Sequence, residues 1–441
     1  MQQPLRAGTA LIDISPEPGV ELAGYPHHPR PNRGVHDPLH AGCITLDDGK
    51  TRLAIVCMDL AVYPRSEVRA VRREAAQLTG IPAENILISC SHTHSGPWAA
   101  GISFLNALDL GWKVDEQYLA GLRQRLVTLI REAWEMRFEA RIGVDKGFCG
   151  RDQGVGGNRR NPSELADAEV WTIGVQDVSG TLRACLVKYS LHPTFLHSDN
   201  LLVSADYPGC MREYLGEKRP GTVVLFAQGC SGNQSPRYFR SGKTFEEARR
   251  VGRAIGAEAE RVLGSLEYSS QARLLCRSAE VEIDLRDLPP RATAQVAVEQ
   301  ARTAWEERKA TSSVERDIWN AELLLLGAED ILALVELEER DGRAKLAGEE
   351  LPAEVQVIGI GDTRIVGLQG EIFVEFGLTI QYRAPFDKCF VISLANGCLP
   401  GYACTTRAYM QGGYETGASL LTGRSGEQLV EAAVDLLKLT K

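Results

Sequence analysis

Ile86-Leu-Ile-Ser-Cys-Ser-His-Thr-His-Ser-Gly-Pro97 organises the reading of the rest of the chain. Its first half, Asn85–Ser89 with Ile86-Leu87-Ile88 at the centre, is a short apolar run of the kind that forms a buried strand. The second half turns polar and carries two histidines before Gly96-Pro97 punctuates it. A buried strand opening into a polar loop fits an α/β protein, and such strand ends are favoured positions for a site. On an extended segment, residues at i and i+2 point to the same face, so His92 and His94 are predicted to look into one pocket.

Working outward, Ala7–Ile14, Leu39–Leu46 and Arg52–Met58 read as strands, the last two joined by the turn Asp47-Asp-Gly-Lys50. Pro16–Asp37 is a Pro-, Gly- and His-rich loop, and Ser66–Leu78 an amphipathic helix closed by Gly80. Asp115–Met136 is a long helix. Ala140–Lys146, Glu169–Val175, Leu182–Ser190 and Thr222–Phe226 are strands, with the polar loop Arg151–Ala166 among them. Lys243–Leu263 is helix. From Pro290 to Leu346 the composition shifts to Ala, Glu, Arg and Leu, which predicts two helices parted near Thr311-Ser-Ser: a helical hairpin insertion over 290–346. Strands return at Glu354–Gly359, Arg364–Leu368 and Phe390–Ala395, with helices over Glu371–Tyr382 and Ser425–Leu437. Irregular alternation with tight turns between adjacent strands predicts an α/β fold of mixed sheets flanked by helices, not a doubly wound parallel sheet. The expectation is one catalytic domain spanning 1–441.

The 441 residues are 44% hydrophobic and 24% charged, the balance of a folded globular protein. A net charge of −9 with scattered Lys and Arg excludes a phosphate-neutralising face, so no nucleic-acid partner is expected. The eleven cysteines show no CxxC pair and read as buried free thiols. No apolar run approaches the ~20 residues that span a bilayer, and no basic-then-apolar leader opens the chain, which predicts a cytoplasmic protein.

Only eight histidines occur, and His92, His94, His192 and His197 cluster at two predicted strand ends. Imidazole is a common zinc ligand, and catalytic zinc takes three protein ligands and leaves a position open. His92 and His94 could share one metal, or one could bind it with the other as an acid/base neighbour.

Ile86–Pro97 closely resembles the His-Thr-His-Ser-Gly-Pro signature of the neutral/alkaline, non-lysosomal ceramidases, and further blocks follow in the same order. Ser190-Leu-His-Pro-Thr194 with Ser204-Ala-Asp-Tyr-Pro-Gly209 is similar to the family's Ala-His-Pro-Thr and Ser-x-Asp-x-x-Gly. Gln228–Pro236 is similar to its Gly-Asp-Val-Ser-Pro loop, with Asn233 in place of Asp. Gln369-Gly-Glu371 resembles its Pro-Gly-Glu. Gly401-Tyr402, Thr405-Thr406, Tyr409 and Tyr414-Glu-x-Gly-Ala-Ser419 resemble its final block. The likeness runs from about Arg6 onward, interrupted at the insertion, in a short form without the family's C-terminal domain.

The resemblance implies two sheets sandwiched between helical layers, and zinc held by His92, His192, Glu371 and Tyr402, with Glu375 the competing carboxylate. It implies His94 as a hydrogen-bonding or acid/base neighbour. Arg159, or Arg160 instead, would be a carbonyl or carboxylate binder, and Tyr414 an oxyanion donor. Ser235 occupies the place of the family's active-site serine, as a nucleophile or, by preference, a substrate contact with metal-activated water attacking. Asp206 orients a histidine or caps a helix, and Asp59 is similarly open. The implied activity is zinc-dependent hydrolysis of an amide (N-acyl) bond in a small-molecule substrate. An ester, lactone or phosphate ester on the same site, and a catalytically silent binding protein, are the alternatives.

Overall fold

The computed structural model describes residues 3–25, 28–99 and 114–441, so Pro26 and His27 of the predicted 16–37 loop lie outside the described residues. In chain order the strands are β1 (Arg6–Asp13), β2 (His40–Asp47), β3 (Arg52–Met58), β4 (Ile86–Cys90), β5 (Phe138–Phe148), β6 (Gly157–Asn158), β7 (Glu169–Asp177) and β8 (Leu182–Tyr189). They continue as β9 (Val223–Gln228), β10 (Gln234–Ser235), β11 (Leu274–Val281), β12 (Ala353–Ile360), β13 (Thr363–Leu368), β14 (Glu371–Ile372), β15 (Lys388–Ile392) and β16 (Tyr402–Ala403). The helices are α1 (Arg65–Thr79), α2 (Glu116–Glu135), α3 (Asp206–Lys218), α4 (Phe245–Ser265), α5 (Arg291–Thr311) and α6 (Glu315–Asp341). After them come α7 (Arg343–Ala347), α8 (Val374–Arg383), α9 (Thr406–Gln411), α10 (Tyr414–Gly417) and α11 (Ser425–Lys438).

Among the described residues, one sheet runs β4-β3-β2-β1-β5-β7-β8-β9 and a second runs β11-β12-β13-β15. Both are mixed: β3/β4, β8/β9 and β13/β15 pair parallel, and the other neighbours antiparallel. The side-chain period of two explains the layering. Leu53, Ile55 and Cys57 of β3 face the second sheet, meeting Ile358, Ile365 and Phe390. Ala54, Val56 and Met58 face α1 and α2. A strand buried on both faces reads as an unbroken apolar run, which is why β3 and β4 were visible in the sequence. Helices α3 and α4 cover β7–β9, and α8 and α11 cover the far side of the second sheet. The result is the expected mixed α/β sandwich, helix–sheet–sheet–helix. Arg72 of α1 ties the layers together, donating to both Glu354 carboxylate oxygens of β12 at 2.8 and 3.0 Å.

Helices α5 and α6 form an antiparallel hairpin, since Arg291 pairs with Glu336 and Arg302 with Glu329. Two expectations need correction, and one strand was not foreseen. The helix predicted over Glu371–Tyr382 begins only at Val374, because Phe373 is extended (φ −65°, ψ 145°) and Glu371-Ile372 pair as a strand. The strand predicted over Phe390–Ala395 ends at Ile392, since Leu394 and Asn396 take positive φ. The edge strand β11, with Arg277, Ser278 and Glu280 exposed, escaped the hydrophobic pattern.

Candidate functional site

Strands β4 and β8 of the first sheet each run into a loop that delivers an imidazole, and the two loops meet. After β4, His92 takes a left-handed backbone (φ 68°), so the segment is not extended as expected and the i, i+2 argument does not apply. The rings still meet: His94 Nε2 lies 3.4 Å from His92 Nε2. Past β8, His192 is fully buried, its backbone N–H donating to the Gln234 carbonyl. The His92 Nδ1–H donates to the Ala61 carbonyl at 2.7 Å, and the His192 Nδ1–H to the Ser231 carbonyl at 2.7 Å. A carbonyl only accepts, so both Nδ1 atoms carry the proton and both Nε2 atoms present a lone pair.

Those lone pairs converge on one carboxylate oxygen. Glu371 Oε2 is 3.2 Å from His92 Nε2 and 3.1 Å from His192 Nε2. Burial, with the Arg159 charge second, pushes His192 down to about 4, so this imidazole is neutral at pH 7. Burial opposes the Glu371 carboxylate, and what lowers its carboxyl is positive charge at the imidazole face, which the two neutral rings do not themselves supply. Three electron-pair donors facing one another this closely repel unless a cation lies among them. Two imidazoles whose far nitrogens are anchored, plus a carboxylate, form a donor set suited to zinc.

Tyr402 joins from β16, which pairs parallel to β14 with Glu371 and Tyr402 directly opposite. Burial, then the Glu371 charge, raises its phenol well above the usual range. The ring nitrogens of His92, His94 and His192 lie within 4.8 Å of one another, so His94 falls inside the same cluster. Its Nδ1 is buried without a hydrogen-bond partner. The ring is wedged between Tyr25, edge-on at 5.2 Å, and Gly24, where an added Cβ would collide with it.

A cavity of about 180 Å³ opens onto this cluster, lined by His92, His94, Glu371 and Tyr402 together with Ser235, Arg159 and Tyr414. Ser235 sits on β10, paired opposite Gly157 of β6. Its Oγ accepts from the Arg237 N–H at 3.2 Å, and among the described residues no hydrogen bond ties it to a base. Arg159 Nε donates to Glu415 Oε1 at 2.8 Å and its Nη2 to the Gly232 carbonyl at 2.7 Å. Arg160 bonds the other Glu415 oxygen and the Gly412 carbonyl and does not line the cavity, so the geometry selects Arg159. Burial raises the Tyr414 phenol, with Asp330 and Glu371 adding, so it remains a hydrogen-bond donor.

Other candidates fall outside. The carboxylate of Glu375 accepts from Asn233 Nδ2 at 2.8 Å, which ties the Ser235 loop to α8. The Asp206 carboxylate accepts from the Leu196 and Tyr207 N–H groups and, among the described residues, bonds no imidazole; α3 starts at this residue. Asp59 is locked to Arg212 and the His40 N–H. Sequence reasoning gave Glu415 no role, although it lies beside Tyr414, and missed Gly24, Tyr25 and the α6 face carrying Trp319, Leu323, Leu326 and Leu334, which walls the cavity. Among the described residues, no helix is long and apolar enough to cross a membrane.

No model of a known protein family matches the chain. It is 24% identical over 318 residues to a neutral ceramidase of Pseudomonas aeruginosa, covering 66% of this chain and 46% of that one. It is 25% identical over 259 residues to neutral ceramidase A of Dictyostelium discoideum, covering 52% and 35%. The matched region thus spans less than half the length of either relative. The crystal structure of the Pseudomonas aeruginosa neutral ceramidase superposes with a TM-score of 0.75 at 21% identity, over 99% of this chain and 75% of that one. A ceramidase complexed with C2 gives 0.72 at 17% identity, with the same coverage. In sequence and in fold, therefore, the chain resembles the neutral ceramidases.

Proposed function

We propose that the protein is a zinc-dependent hydrolase of an amide (N-acyl) bond in a small molecule, acting through one domain into which residues 290–346 are inserted. The observation that carries this reading is the meeting of His92 Nε2, His192 Nε2 and Glu371 Oε2 in a cavity that also holds Arg159, Ser235 and Tyr414. His92, His192, Glu371 and Tyr402 would hold the metal. When bound, zinc lowers the pKa of a coordinated water toward ~7 and polarises a carbonyl.

The chain's own groups supply the rest. Ala61 and Ser231 hold the two histidines in the tautomer that leaves Nε2 free. Arg159, fixed by Glu415 and Gly232, offers its charge to the substrate carbonyl. Tyr414 keeps its proton and donates a hydrogen bond to the oxygen on which charge develops. His94, whose Nε2 faces the cluster 3.4 Å from His92 Nε2, is the group placed to pass a proton to the leaving nitrogen. Ser235, lacking a base, contacts substrate.

The test is metal analysis of the purified protein combined with a panel of N-acyl amides, esters, lactones and a chromogenic phosphate. Stoichiometric zinc with amide turnover lost to chelation is expected. No metal and no turnover would overturn the reading, and turnover of esters or phosphates alone would replace the amide.

A further inference from the structure

The segment after Ser235 brings two guanidiniums, Arg237 and Arg240, to the cavity wall. Most cations near this site are matched: Arg159 and Arg160 share Glu415, and Lys243 pairs with Glu315. Arg237 and Arg240 differ. Among the described residues, Arg237 Nη1 donates only to the neutral Asn320 Oδ1 at 3.3 Å, Arg240 Nη1 only to the Thr194 carbonyl, and neither forms an ion pair. Of the carboxylates on the cavity wall, Glu371 is committed to the imidazoles and Asp330 acts on Tyr414. Burial and the Arg159 charge outweigh the more distant Glu415 charge and push Arg237 down to about 10. Arg240 lies close enough for its field to act on Tyr25, His197, Asp206 and Glu315, without a direct ion pair to either carboxylate. The α6 wall beside them, reached by the Arg237–Asn320 hydrogen bond, is apolar, built by Trp319, Leu323, Leu326 and Leu334.

A neutral amphiphile would leave both guanidiniums unpaired, and desolvating a charge without a partner is costly. An oxyanion would satisfy them, because a guanidinium fork matches carboxylate and phosphate alike. Building on the N-acyl hydrolase reading, we infer that the substrate is an anionic N-acyl compound. Its chain lies along α6, and a carboxylate or phosphate a few bonds from the amide is held by Arg237 and Arg240. N-acyl amino acids are the simplest members of the class. Hydrolysis adds water across their C–N bond, OH to the acyl carbon and H to the nitrogen, releasing a fatty acid and an amino acid.

Binding is measured by calorimetry on the zinc-replete protein, using the unhydrolysable isostere of N-dodecanoylglycine in which CH2 replaces the amide NH, and its uncharged primary-amide counterpart. The acid is expected to bind roughly tenfold or more tightly than the amide. That preference should collapse in Arg237→Met and Arg240→Met and persist in part in Arg237→Lys. Equal binding of acid and amide by the wild type overturns the inference without reference to any variant, as does a preference that both methionine variants retain. A phosphonate isostere in parallel distinguishes phosphate from carboxylate. Turnover is assayed separately with N-dodecanoylglycine and a neutral N-dodecanoyl amide. Selective acid binding without hydrolysis of either would sink the hydrolase reading and leave the anion site standing. Hydrolysis of the neutral amide with no acid preference would do the reverse.

Discussion

Replacing Glu415 with Gln probes the part of the site that the sequence hid best. The Glu415 carboxylate is buried and accepts from Arg159 Nε and Arg160 Nη1, each at 2.8 Å. Two unit charges about 4 Å apart attract by about 4 kcal/mol at an effective dielectric near 20. Desolvation offsets much of that, yet breaking a buried pair from one side costs about 3–5 kcal/mol because the partner is left uncompensated. Gln keeps the volume and one accepting oxygen, and Arg160 is partly hydrated at 15% exposure, so the lower end applies: about 3 kcal/mol. Denaturant unfolding of Glu415→Gln measures it. The double variant with Arg160→Met should recover about 1 kcal/mol or more, because one stranded cation is removed with the anion. Arg159 keeps the Gly232 carbonyl and its contact with Tyr402 but loses its charged anchor, so N-acyl hydrolysis should fall about tenfold, close to 1.4 kcal/mol of transition-state stabilisation. A Gln variant within about 0.5 kcal/mol of wild type would refute the reasoning, since it would mean that Glu415 is not the counter-ion of a desolvated pair.

Three further outcomes are expected. Gly24→Ala forces a side chain onto the His94 ring at a backbone φ of 94°, so it should destabilise by about 1–3 kcal/mol and lower hydrolysis at least tenfold; unchanged melting and activity would count against the wedge. Burial pushes the Asp206 carboxyl up to about 7, over the opposing N–H groups of Leu196 and Tyr207. The folded chain therefore holds a proton that the unfolded one releases near pH 4, so the contribution of Asp206 to stability falls as pH rises from about 4 to about 7, against the opposite slope of the buried neutral histidines His94, His192 and His197. It is read as a difference: urea unfolding should show the stability of wild type minus that of Asp206→Asn falling across that range, and a pH-independent difference would be the contrary result. Ser235→Ala should lower kcat/KM by roughly ten- to a hundredfold as a lost contact, whereas a loss beyond about ten-thousandfold would make the serine the nucleophile.

What the sequence made legible follows from the range of the forces involved. Strands buried on both faces, such as β3 and β4, declare themselves by composition, and α2 by its Asp115 cap, whose carboxylate accepts from the Tyr118 N–H. Strand β11 carries charge on an open edge and looks like loop. Glu371 continues an apolar helical spacing, and only the extended Phe373 reveals that it stands on a strand opposite Tyr402. His92 and His94 do share a cavity, through a left-handed turn at His92 that local periodicity does not encode. The partners Gly24–His94, Arg159–Glu415 and Asn233–Glu375 are set by sheet topology across up to 256 residues, and single-sequence patterns carry no such information.

The central claim is tested most directly by anomalous diffraction at the zinc edge from crystals of metal-replete protein. One ion is predicted, about 2.0–2.2 Å from His92 Nε2, His192 Nε2 and Glu371, with the Tyr402 oxygen completing its protein ligands. An anomalous peak away from these side chains, or none in protein shown to be metal-replete, would contradict the account.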